Sequence, residues 1–225
     1  MKSVELKVAE EYIRSLIQKG ENEQLDFKFE ISDARKIART FSAFANTTGG
    51  KLLIGVKDNG RISGIRSEEE AYMAESAAHV FCKPAVTYQL KKWEVEGRTV
   101  LEIEIPLSKE RPHFAKNEVG RWIAYVRIAD QNIKANNIIV NVWKGRKRSD
   151  LWLSYGKAEQ ILLNYLTENE HISLSKFERI ARISRINAER VLAKLILMRV
   201  VDISISEKTC VYRLKTSNPG VYSII

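Results

Sequence analysis

The sequence predicts an α+β domain over residues 1–143, a mixed sheet with flanking helices, followed by a winged helix-turn-helix domain over residues 151–225. Three observations predict it. Helical and strand periodicities alternate irregularly through the first part. The last part shows three helical segments and then two β-rich runs. Between them lies Lys144-Gly-Arg-Lys-Arg-Ser-Asp150, whose polar, basic composition is that of a linker.

In residues 4–19, Leu6, Ala9, Ile13, Leu16 and Ile17 recur at helical spacing, and Gly20 follows as a C-cap. Residues 24–30 alternate as a strand, with Leu25, Phe27 and Phe29 on one side and Asp26, Lys28 and Glu30 on a polar face. Ser32-Asp33 caps a helix over about 33–46, in which Ile37, Phe41, Phe44 and Ala45 share a face. Lys51–Val56 is an apolar strand. Asp58-Asn-Gly60 then signals a type I′ turn, with residues 61–65 as the returning strand.

Residues 68–81 read as helix, and 85–94 and 99–105 as strands joined by a turn at Glu96-Gly97-Arg98. In the second of these, Val100, Glu102 and Glu104 alternate with Leu101, Ile103 and Ile105, which predicts one solvated face. Residues 108–120 read as a loop, 121–128 as a strand, and 134–141 as the start of a helix. In the last part, helices are expected at 157–167, from a Ser175-Lys-Phe-Glu178 capping box to about 183, and at about 186–198. Strands follow at 200–205 and 209–214.

The formal net charge is +9, and it is uneven. Residues 144–225 carry 15 Lys or Arg against 8 Asp or Glu, whereas residues 1–143 carry 22 against 20. A cationic last third favours a polyanionic partner, nucleic acid above all, with DNA ahead of RNA. Val191, Leu192, Leu195 and Ile196 give the third helix a buried stripe, leaving Arg185, Arg190 and Lys194 off it to reach DNA. Arg182 and Lys208 are expected to meet phosphates from the turn and the wing. Lys28, Arg127, Lys134 and the linker's Arg146, Lys147 and Arg148 add further phosphate contacts.

Other chemistry finds little in the sequence. Cys82 and Cys210 lie far apart, which predicts two reduced thiols rather than a zinc site. There is no GxxxxGK[ST] loop, no HExxH, and His79, His113 and His171 are scattered. Of the histidine settings, Arg111-Pro-His-Phe114 stands out. Trp93, Trp122, Trp143 and Trp152 read as core or interface residues rather than base-stacking platforms. The charged N-terminus matches no signal peptide, and no apolar run reaches the roughly 20 residues of a membrane span. A cytoplasmic location with no membrane partner is the expectation, and a homodimer is open.

Several fragments recur together in the larger part: Gly20-Glu-Asn-Glu-Gln-Leu-Asp-Phe-Lys28, Phe41-Ser-Ala-Phe-Ala-Asn46, Gly49-Gly50, Leu53-Ile-Gly-Val-Lys-Asp-Asn-Gly60, Ile62-Ser-Gly64 and Tyr125-Val-Arg-Ile128. In order and spacing they resemble the Schlafen-type AlbA-like DNA-binding domain family, over about residues 4–140. The resemblance implies a bacterial DNA-binding transcriptional regulator, in which a C-terminal winged helix is common. Some relatives instead cleave structured RNA with three carboxylates, and the matching positions here are Glu21, Asp26 and Asp58. This sequence departs from the pattern twice: Asp26 stands where the family usually has Glu, and the turn has one acid where many relatives have two.

Three readings follow. The first is a nucleic-acid-binding regulator without cofactor. The second is a metal-dependent endoribonuclease, with Glu21, Asp26 and Asp58 holding Mg²⁺ or Mn²⁺. The third is a protein-interaction or dimerisation module. The single acid in the turn and the shorter Asp26 favour binding over cleavage.

Overall fold

The structure, a computed structural model, describes residues 2–145, 155–206 and 209–215. Arg146, Lys147, Arg148, Trp152 and Lys208 therefore lie outside the described residues. The chain divides into two compact units, residues 1–134 and 135–225.

The first unit contains helices α1 (Lys2–Lys19), α2 (Ala34–Asn46) and α3 (Glu69–His79). Its strands are β1 (Leu25–Lys28), β2 (Gly50–Ile54), β3 (Cys82–Lys83), β4 (Gln89–Val95), β5 (Arg98–Ile105), β6 (Phe114–Lys116), β7 (Trp122–Ile128) and β8 (Gln131–Lys134). One sheet has the order β1-β2-β5-β4 and is mixed: β1 and β2 are parallel and the other pairs antiparallel. The second sheet, β3-β6-β7-β8, is antiparallel throughout.

Period-two alternation sends the apolar residues of the first sheet to two different cores. On one side Leu25, Phe27, Leu53 and Val100 pack with Ile13 and Leu16 of α1. On the other, Leu52, Ile54, Leu101 and Ile103 pack with Phe41 and Phe44 of α2, in a core that also takes Ala115 and Tyr125 from the second sheet. Helix α2 thus lies between two sheets. Asp33 caps it by accepting the Arg35 N–H at 2.9 Å. From Thr40 to Asn46 its burial runs around the helix, Thr40, Ser42 and Asn46 included, while Lys36 in the first half is exposed; the sequence predicted a single apolar face.

Several local expectations are corrected. Residues 61–65 form no strand; only a bridge from Val56 to Ile62 survives, because β2 already has β1 and β5 on its two edges. The turn is not type I′. The Gly60 N–H bonds back to the Lys57 carbonyl, and Gly60, not Asn59, has positive φ, which is a type I turn closed by a left-handed glycine. The expected loop 108–120 contains β6, and the short strands β3 and β8 were not foreseen.

The second unit contains α4 (Asn137–Gly145), α5 (Lys157–Glu168), α6 (Leu174–Ala181) and α7 (Arg185–Leu197), then strands β9 (Val201–Ile205) and β10 (Cys210–Leu214) paired antiparallel. Leu162, Phe177, Ala188, Leu192, Leu195 and Tyr212 are among its buried side chains. The capping of α6 comes from Ser173, whose hydroxyl accepts the Lys176 N–H at 3.2 Å, two residues before the expected capping box. Ser184 caps α7 in the same way. Cys82 and Cys210 are free thiols. Among the described residues no helix is long and apolar enough to cross a membrane.

Candidate functional site

The polar side of β1 is a site, but a closed one. Asp26 points away from α1, toward α2 and the second sheet, and is only 3% exposed. The Arg127 guanidinium, on β7 and 1% exposed, donates to Asp26 at 3.2 Å. It also donates to the carbonyls of Asn22 and Leu25 and to the Asn132 side chain, and it lies over the Phe44 ring at 5.2 Å. Asn132 in turn donates to the Thr40 hydroxyl at 2.9 Å. Lys28 approaches from the open side, its ammonium 3.1 Å from Asp26 and 3.9 Å from Glu21. Burial and the neighbouring Asp26 carboxyl push Glu21 above the usual carboxylate range, although its Oε1 accepts the Phe27 N–H at 2.9 Å.

This arrangement does not fit a divalent cation. A hard cation needs several free carboxylate oxygens converging on one point, whereas Asp26 is already neutralised by an arginine and a lysine. Asp58 is exposed in the turn after β2. Among the described residues no group of three or more His, Cys, Asp or Glu is placed to hold a metal ion. Arg127, expected at a phosphate, is spent inside the unit.

A second cluster escaped the sequence reading. The alternation in β5 predicts a solvated face for Glu102, but α1 covers that face and leaves Glu102 1% exposed. It accepts from Tyr12 Oη and Trp93 Nε1, each at 2.7 Å, and from Lys51 at 2.5 Å. Burial alone would raise its pKa; these three donors outweigh burial and hold it below the usual carboxylate range. Lys51 also reaches Glu104 at 3.0 Å. Beside this cluster a pocket of about 330 Å³ is lined by Lys19, Asn22, Gln24, Gly49 and Gly50, among others. His113, singled out in the sequence, is buried and held between the Pro84 carbonyl and the Ser108 hydroxyl, a structural placement.

The α6–α7 segment of the second unit is open. Arg182 ends α6 in the left-handed region with φ +53°, and it is exposed. Arg185, Ile186, Asn187 and Arg190 are exposed along α7. Ile186 and Arg190, four residues apart, share one face of the helix. Arg185 is partly neutralised by Glu189 at 3.4 Å and Glu178 at 3.8 Å. Arg182 and Arg190 have no ion pair among the described residues. Lys194 does not join them: its side chain is 19% exposed and pairs with Glu159 at 2.8 Å. Burial opposes ionisation of Glu159, but the Lys194 ammonium prevails and lowers it. Lys28 and Lys134 reach the surface of the first unit.

The Schlafen, AlbA_2 family model matches residues 21–136, more than half of the chain. The chain belongs to that family. The match runs from Glu21 across both sheets of the first unit, so the Schlafen, AlbA_2 domain includes the closed Asp26–Arg127 cluster. No curated protein matches the chain. Among the solved structures similar to it are the following two. The DIP2311 protein of Corynebacterium diphtheriae has 17% identity and a TM-score of 0.45 over 66% of this chain and 34% of that one. The N-terminal domain of a RecG-related protein of Nitrosomonas europaea has 22% identity and a TM-score of 0.41 over 57% of this chain and 95% of that one. The chain thus spans about a third of the Corynebacterium protein.

Proposed function

We propose that the protein binds nucleic acid, duplex DNA foremost, through a winged-helix second unit, and acts as a transcriptional regulator. The observation that carries this reading is the pair of exposed arginines on α6–α7, Arg182 and Arg190, with no ion pair among the described residues, beside the exposed Ile186 and Asn187. Helices α5, α6 and α7 followed by an antiparallel hairpin, with α7 cationic on its open face, suit insertion into a major groove. Arginines there meet phosphates, and Asn187 and Ile186 near the start of the helix are placed to meet base edges. The Schlafen, AlbA_2 unit adds the exposed Lys134 at its surface, whereas Lys28 is held by Asp26.

The test is fluorescence anisotropy of a labelled 20-base-pair duplex titrated with the whole chain at several salt concentrations. Affinity falls steeply with salt, and Arg190→Ala reduces the slope of log K on log salt by about 1. Folding stability of that variant stays within about 0.5 kcal/mol of the parent, because the side chain is exposed. An affinity equal at low and moderate salt defeats the proposal.

A further inference from the structure

We infer that the open end of the outer face of the second sheet, at Trp122 and Lys116, is a stacking site for single-stranded nucleic acid. The strand register assembles it. Lys116 on β6 lies directly opposite Trp122 on β7, and Phe114 lies between Lys83 on β3 and Ala124 on β7. Directly opposed residues project on the same side of a sheet. Lys83, Phe114, Lys116 and Trp122 therefore share one face with Ala124, Val126 and Ile128, while Ala115 and Tyr125 alternate into the core with α2. Ala124, Val126 and Ile128 are buried, so this face is open at its Trp122–Lys116 end. Trp122 is 41% exposed, and Val119 at the tip of the hairpin is 75% exposed.

The surroundings say what this aromatic face would take. The Lys116 ammonium sits 5.8 Å from the centre of the Trp122 ring, and Lys83 is exposed on the same face of the sheet. The acid of the hairpin, Glu118, is already paired with Arg39 at 2.8 Å. An apolar protein partner gains little from an indole flanked by lysines. A strand of nucleotides offers both complements: phosphates for the lysines and an unpaired base for the indole. The strand must be single, because a base stacked and paired within a duplex has no free face to offer. The inference uses the first unit alone and does not depend on α7.

Labelled dT15 and U15, and a duplex of the same length, are titrated with the whole chain and with Trp122→Ala and Trp122→Phe. Trp122→Ala weakens single-strand binding about tenfold, and Trp122→Phe keeps most of it, because a phenyl ring still stacks. Duplex affinity is unchanged in both. Thermal unfolding, read alongside, is also unchanged, since the ring is exposed. The inference is overturned if the parent binds neither single strand, or if Trp122→Ala binds them as the parent does. Equal loss on duplex and single strand overturns it as well. So does a change of sedimentation on Trp122→Ala, which would make the face a contact between two copies of this chain. Loss of duplex binding in Arg190→Ala with single-strand binding intact separates the two surfaces.

Discussion

Arg127 and Arg190 are the same side chain in opposite situations. Arg127 is buried, bound to one carboxylate and three other acceptors; its charge is consumed by the fold. Arg190 stands in solvent with no ion pair among the described residues, so its field is available to a partner. A count of basic residues treats the two alike. Their surroundings decide which is structure and which is surface, because a charge leaves water only when its partners replace the lost hydration.

Three measurements can break or sharpen this contrast. The largest effect is expected at Arg127→Ala, which leaves the buried Asp26 with Lys28 as its remaining cationic partner among the described residues. It should cost about 3–5 kcal/mol in chemical denaturation, with part regained when Asp26→Asn is added. A loss below about 1 kcal/mol would mean that the cluster is wet and its carboxylate accessible.

A smaller effect is expected at Arg182→Gly. Glycine accepts φ +53° without the steric penalty that arginine meets, so the variant should gain about 0.5 kcal/mol of stability. Duplex affinity should fall in the same variant. Gain of stability with full affinity would remove Arg182 from the surface proposed above.

The smallest effect is a pH dependence at Glu21. Its folded-state pKa is raised, so its contribution to stability is full at low pH and is lost as pH rises through that value. Glu21→Gln should therefore gain on the parent between pH 4 and pH 7, seen as a larger difference in Tm at pH 7. The opposite trend would show that Lys28, rather than burial and Asp26, governs this carboxyl.

Much of the first unit was legible because its elements are locally encoded. Asp33 with the Ile37–Phe41–Phe44 spacing sets α2, and Glu96-Gly97, both with positive φ, turns β4 into β5. The misses share one cause. The alternation in β1 and β5 was read correctly, and the faces it defined are real, but both sides of that sheet are covered. Asp26 and Glu102 therefore lie inside, beside Arg127 and Lys51, which come from distant positions. Short strands such as β6 carry too few residues for a period to show, and they exist because β7 and β3 offer them backbone partners.

By itself the sequence determined the order of the helices and of the longer strands, the α+β class and the cationic character of the last third, because caps, turns and periodicity act between neighbours in the chain. Tertiary structure alone decided which charges remain available. Whether a lysine or arginine faces water or a carboxylate depends on what packs over it, and at Asp26, Glu102 and Lys194 that cover comes from segments far away in sequence.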